Sequence, residues 1–194
     1  MRVLVLYANP LETSFGSALH RKALETLAAR GHVLDDCDLY RESFEPALSR
    51  EERIHYNEIG KNSINVQPYV DRLLAADALV LVYPVWNEGF PAILKGFIDR
   101  VFLPGVSFQI TSDGSPQPSL KKLKKMAAIC TYGADRFTTF LLGDPPRRVI
   151  KRLLSAMAPH ATCEYLALYG LNRCSGSSRD NFMRDMDRRL ARWK

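Results

Sequence analysis

Residues 78–83 read ALVLVY, an unbroken apolar run with no side chain suited to water. A run that short cannot form an amphipathic helix. It fits a strand covered on both faces, and such strands belong to parallel sheets flanked by helices. RVLVLY at 2–7 and MAAICTY at 126–132 repeat the pattern. Between these runs the apolar period changes. Phe15, Ala18, Leu19, Ala23, Leu24, Leu27 and Ala28 make a helical stripe over residues 14–30, and Gly31 stands where a helix commonly ends.

The same alternation continues along the chain. A second, more polar strand is expected over 32–39, nearer an edge because of Asp35, Asp36 and Asp38. A short helix falls near 49–58 and another over 66–76. Residues 84–90 form a loop. Pro91 opens a helix running to about 101. The Pro- and Gly-rich stretch 103–120 is an excursion that holds a β-hairpin. Asp144-Pro145 starts a helix that ends near Met157. A fifth strand spans 162–169, and a closing helix spans 177–193. Five strands alternating with helices predict a parallel sheet with right-handed crossovers. There is no repeat and no linker, so residues 1–194 are expected to form one domain.

Composition bounds the function. A chain of 194 residues with 46% hydrophobic and 25% charged residues carries a sizeable core, which excludes disorder as its main state. No apolar stretch nears the ~20 residues that span a bilayer, so no membrane insertion is expected. The start, MRVLVLYANP, predicts a core strand rather than a signal peptide. Cys37, Cys130, Cys163 and Cys174 are far apart, which points away from a zinc site or disulfide framework and toward a reducing cytoplasm. The net charge of +6 is too small to argue for nucleic acid. Basic residues cluster at Lys121, Lys122, Lys124 and Lys125, at Arg147, Arg148, Lys151 and Arg152, and at Arg188, Arg189 and Arg192. Such clusters are either solvated faces or attractors of an anionic ligand or partner.

In open parallel sheets ligands bind beyond the carboxyl ends of the strands, where strand order reverses. Three loops therefore matter. After the first strand, ANPLETSF at 8–15 is rich in amides and hydroxyls and opens a helix, a place for phosphate or simply a helix cap. It holds neither G-x-G-x-x-G nor a P-loop. After the third strand, Trp86 stands between Pro84 and Gly89, either as an aromatic wall for a flat ring or folded back on the core. After the fourth, Gly133 permits a close backbone approach or a positive φ.

Residues 83–108, YPVWNEGFPAILKGFIDRVFLPGVSF, resemble the signature of the NAD(P)H:quinone oxidoreductase family of flavodoxin-like flavoproteins, and ANPLETSF resembles that family's H-P-x-x-x-S-F phosphate loop. The resemblance spans essentially the whole chain. It implies a flavodoxin-like α/β fold with five parallel strands in the order 2-1-3-4-5 and a noncovalent flavin, FAD first and FMN as the alternative. Asn9, Thr13, Ser14, Phe15 and Ser17 would hold its phosphate side, Pro84, Val85, Trp86 and Asn87 its ring, and Thr131, Gly133 and Ala134 the ring's other edge. It further implies a homodimer with sites shared between subunits. The implied reaction is ping-pong hydride transfer from NAD(P)H through flavin N5 to a quinone or similar flat acceptor, with no side chain as nucleophile.

The sequence departs from the family pattern in three places. Asn9 replaces a common His. Asn87-Glu88 follows Trp86 and sets a carboxylate near the ring. Phe137 and Phe140 occupy a loop where a relative carries a Tyr and a His, so that acid–base pair is not carried over. A flavodoxin-type electron carrier is disfavoured by the positive charge. An ancillary subunit of a potassium-efflux system remains the other reading. Lys95 and Asp99 form an i, i+4 pair on the surface, and Asp99 and Arg100 are expected to anchor their helix or a dimer.

Overall fold

In the computed structural model, which describes residues 1–194, the apolar runs form the centre of one sheet. The strands are β1 (Arg2–Tyr7), β2 (Val33–Asp38), β3 (Ala78–Val85), β6 (Lys125–Tyr132) and β7 (Thr162–Leu168). They are all parallel, in the order β2-β1-β3-β6-β7, which is the expected 2-1-3-4-5 pattern of a flavodoxin-like sheet. The excursion holds the expected hairpin, with β4 (Phe108–Ile110) antiparallel to β5 (Pro116–Pro118).

The helices are α1 (Phe15–Ala29), α2 (Arg50–Ile54), α3 (Gln67–Ala75), α4 (Ala92–Val101), α5 (Arg136–Leu141), α6 (residues 145–157) and α7 (Gly176–Leu190). Strand alternation sorts the core onto two faces. Val3, Val5, Val80 and Ile129 pack with Leu19 and Leu27 of α1 and Met186 and Leu190 of α7. Leu4, Leu6, Leu79 and Ala128 pack on the other face with Leu73 of α3, Leu94 and Phe97 of α4 and Ile150 and Leu154 of α6.

The polar edge strand is satisfied by flanking side chains. Arg72 reaches Asp35 and Glu42, each at 2.7 Å, and His20 meets Asp36 at 2.8 Å. Arg100 does anchor its helix. Its guanidinium is buried against Glu52, with Nη2 at 2.5 Å and Nε at 3.0 Å from Oε1, and it also donates to the Glu45 carbonyl. Glu52 is held by a capping box with Ser49, so this clamp fixes the irregular segment before α3 onto α4.

Two elements differ from expectation. β3 continues through Pro84 to Val85 instead of ending at Tyr83. Proline fits there because Val82 accepts from Ala8 on the β1 side, and β1 pairs no further than Val82. Two residues on, Pro84 faces that vacated side, where no ladder donor is needed. The second difference is α5, which the β-branched, aromatic sequence RFTTFL does not announce. Asp135 caps it by accepting from the Phe137 and Thr138 amides, each at 2.9 Å.

Candidate functional site

β1, β3 and β6 are neighbours, so the loops after them emerge side by side at the carboxyl edge of the sheet, at the point where chain order reverses between β1 and β3. The loop after β1 is closed by its own side chains. Asn9 Oδ1 accepts from the Leu11 amide at 3.0 Å, and Asn9 Nδ2 donates to Ser14 Oγ at 3.0 Å. Ser14 Oγ also accepts from the Ser17 amide at 3.1 Å, as the N-cap of α1. Two donors occupy its lone pairs, so Ser14 has only its hydroxyl hydrogen left to offer.

Beyond it the first-turn amides of Phe15 and Gly16 have no backbone acceptor. No acidic residue sits in that turn to offset the helix dipole. Glycine is needed at 16, because a Cβ there would stand 3.0 Å from Asn9 Nδ2. Arg21 adds a cation, donating to Ser17 Oγ at 2.9 Å. The Tyr7 hydroxyl is buried without a partner beside the Ser14 and Ser17 hydroxyls, and burial raises its pKa. Thr13 is exposed and makes no side-chain hydrogen bond.

After β3 the chain reverses within two residues. Trp86 and Gly89 exchange both backbone hydrogen bonds, at 3.1 and 2.9 Å. Asn87 and Glu88 between them have φ of 49° and 55°. That is a type I′ turn, with two L-residues in the left-handed region. Its effect is to hold Trp86 out: the indole is 44% exposed rather than folded onto the core. Pro84 and Val85 are buried beneath it. Glu88 is half-buried, and its Oε2 is enclosed without a hydrogen-bond partner.

After β6, Tyr132 O accepts from the Leu171 amide at 2.9 Å and Ala134 O from the Gly170 amide at 2.8 Å, which laces this turn to the one after β7. Thr131 is buried, Ala134 half-buried and Gly133 exposed. Gly133 does not adopt a positive φ, and a Cβ there would meet only Asn172 Nδ2, at 3.5 Å. The protein itself therefore does not demand glycine, and the open space lies toward solvent.

Sequence reasoning read Asp144 only as the start of α6. It adopts φ 46° and makes no side-chain cap to α6. Its Oδ1 accepts from Tyr132 at 2.6 Å and its Oδ2 from Tyr169 at 3.2 Å, while the Tyr132 and Tyr165 hydroxyls meet at 2.5 Å. Burial raises the Tyr132 and Tyr165 phenols well above their usual range, so both stay protonated. Cys130 beneath them is pushed up to about 12 by burial, which keeps it an unreactive thiol. The Gly143-Asp144-Pro145 sequence was the available signal. It was legible as a helix start, but not as a tyrosine-binding carboxylate.

The twelve residues expected at the site thus fall on three adjacent loops and on the ends of α1, β3 and β6 that flank them, along one open edge of the sheet. None of them lines the five principal concavities of the molecule.

Known proteins share this fold. The family described as having a flavodoxin-like fold matches residues 1–190. An uncharacterized NAD(P)H oxidoreductase of Haemophilus influenzae is 35% identical over 143 residues, 72% of this chain and 69% of that protein. FMN-dependent NADH:quinone oxidoreductase 2 of Listeria monocytogenes is 36% identical over 87 residues, 43% of this chain and 41% of that protein. The solved structure of an NAD(P)H:quinone oxidoreductase from Methanothermobacter marburgensis superposes with a TM-score of 0.83 at 25% identity, covering 100% of this chain and 99% of that one.

Proposed function

The chain belongs to the flavodoxin-like family that matches it over residues 1–190, and from that membership we propose that it is a flavin-dependent NAD(P)H oxidoreductase acting on a quinone or similar flat acceptor. The relatives named for NAD(P)H and quinone support the reaction class. The observation that carries it is the pairing on one sheet edge of an uncompensated helix N-terminus with a tryptophan held outward by a strained turn.

The residues present fit a flavin mononucleotide. Ser14 Oγ–H and the Phe15 and Gly16 amides offer donors to a phosphate dianion, and the orphaned Tyr7 hydroxyl lies just behind them. FMN is favoured over FAD, which the sequence had put first, because a relative named for its cofactor is FMN-dependent. When bound, the flavin supplies reversible two-electron chemistry that carries a hydride from NAD(P)H to the acceptor. Trp86, Pro84 and Val85 would hold the ring from the β3 side and Thr131, Gly133 and Ala134 from the β6 side, with Asn87 and Ser17 at the approach. The enclosed Glu88 carboxylate opposes accumulation of negative charge nearby.

With the ring so held, donor and acceptor share its open side in turn. Steady-state rates then give parallel double-reciprocal lines, and a second copy of the chain completes the wall over the open edge. No helix is long and apolar enough to cross a membrane, and four widely spaced free thiols support a reducing, cytoplasmic setting. The test is to purify the protein, release its chromophore and identify it by mass and absorbance, then assay NADPH oxidation with a quinone. Colourless protein that takes up no flavin at micromolar concentration overturns the proposal. Intersecting lines overturn the shared slot alone.

A further inference from the structure

A second basic feature lies along the same sheet edge, beyond β6 and β7. Arg136, Arg147, Arg148, Lys151 and Arg152 line a concavity of about 400 Å³ between α5, the Gly143-Asp144 turn and α6. None of the five makes an ion pair, whereas Arg72, Arg100 and Arg189 elsewhere each meet a carboxylate. The only acid in the lining is Asp144, and both its oxygens are taken by the Tyr132 and Tyr169 hydroxyls. Arg147 with Lys151 and Arg148 with Arg152 are like charges at i, i+4, an arrangement that weakens a helix.

The cations are nonetheless placed. The Arg147 guanidinium lies 5.7 Å from the Tyr165 ring centroid, Arg148 rests over Gly143, and Lys151 Nζ donates to the Cys163 carbonyl at 2.6 Å. The backbone offers little to an anion here, because Pro145 and Pro146 remove two amides from the first turn of α6. The widened, π-helical stretch Val149–Leu154 follows directly, and such stretches recur at functional sites. Guanidinium forks match the tetrahedral oxygens of phosphate. The volume exceeds that of phosphate alone, and Phe140 and Tyr169 supply flat walls.

We propose that this concavity binds a nucleotide through a phosphate monoester, the forks of Arg147 and Arg148 on the phosphate and the aromatic walls beside the base. The phosphate has two possible sources: the 2′-phosphate of NADPH, or a free nucleotide that regulates or competes. Only the first rests on the oxidoreductase reading.

The experiment titrates the protein as purified with adenosine 2′-phosphate and with inorganic phosphate, by calorimetry. The expected result is saturable binding that weakens with salt and falls by at least about tenfold in R147Q/R148Q, a loss on the scale of one or two charge-assisted hydrogen bonds. The S14A variant should keep it, which separates this site from the α1 N-terminus. The ratio of kcat/KM for NADPH over NADH is measured in parallel. If that ratio also falls in R147Q/R148Q, the phosphate is the reductant's. If the ratio holds while adenosine 2′-phosphate binding is lost, the ligand is a free nucleotide. Absence of saturable binding in the parent, or equal binding in the double variant, overturns the site. A protein that binds the nucleotide but oxidises neither coenzyme keeps this inference and loses the reaction.

Discussion

The two anion-attracting regions on the carboxyl edge of the sheet are built in opposite ways. At the start of α1 the positive potential comes from the backbone, and Asn9, Ser14 and Ser17 hold one another in place. Between α5 and α6 it comes from five long side chains, with prolines where amides would be. The first region is preorganised and has one occupant geometry. The second has more charge but more side-chain freedom, and ordering Arg or Lys costs up to ~2 kcal/mol each. A tightly held cofactor suits the first, and an exchanging ligand suits the second.

The contrast can be broken most directly at residue 14. Ser14→Asp still caps α1 but sets a negative charge against the phosphate, and FMN affinity should fall by at least about 30-fold, roughly 2 kcal/mol. Undiminished affinity, measured by flavin fluorescence, would show that residue 14 does not face the ligand. In the second region, Asp144→Ala removes the acceptor of two tyrosine hydroxyls and leaves a β-carbon at φ 46°. Unfolding free energy should drop by about 2 kcal/mol, while phosphate affinity stays level or rises because a negative charge has left the lining. A variant weakened in phosphate binding but not in stability would mean that Asp144 touches the ligand.

Two smaller effects sharpen the comparison. Ser14→Ala should lower the stability of flavin-free protein by ~1 kcal/mol through the lost cap, read as a shift in the denaturant midpoint. The Arg147→Gln, Arg148→Gln double variant should move stability by no more than ~0.5 kcal/mol, because it breaks no ion pair. A large loss there would assign those arginines to the fold instead of a ligand.

How much of this was readable beforehand follows from the range of the forces involved. The sheet was legible because burial on both faces leaves an apolar run that nothing else explains. A cap at Thr13 or Ser14 was legible because capping is local, and the fold puts it on Ser14. The fate of Trp86 was not: whether it folds in or stands out depends on the φ angles of Asn87 and Glu88, and neither residue type announces a left-handed pair. The second basic region was visible only as a charge cluster. Solvated surface and binding site share that composition. What separates them is the diversion of the Asp144 carboxylate to Tyr132 and Tyr169, contacts that span up to 25 residues. α5 went unseen because its apolar residues, Phe137, Phe140 and Leu141, face solvent and so make no inward stripe.

The turn at Asn87-Glu88 has a bearing on how this chain tolerates mutation. Asn87 enters the left-handed region readily, but Glu88 holds there a backbone conformation costing of order 1 kcal/mol that glycine would adopt freely, and Glu88 also buries a carboxylate oxygen without a partner. Directed evolution for heat resistance alone would therefore be drawn early to glycine at position 88. Such a library would gain melting temperature while loosening the hinge that presents the indole. Survivors selected for stability and survivors selected for turnover should part company at this one codon.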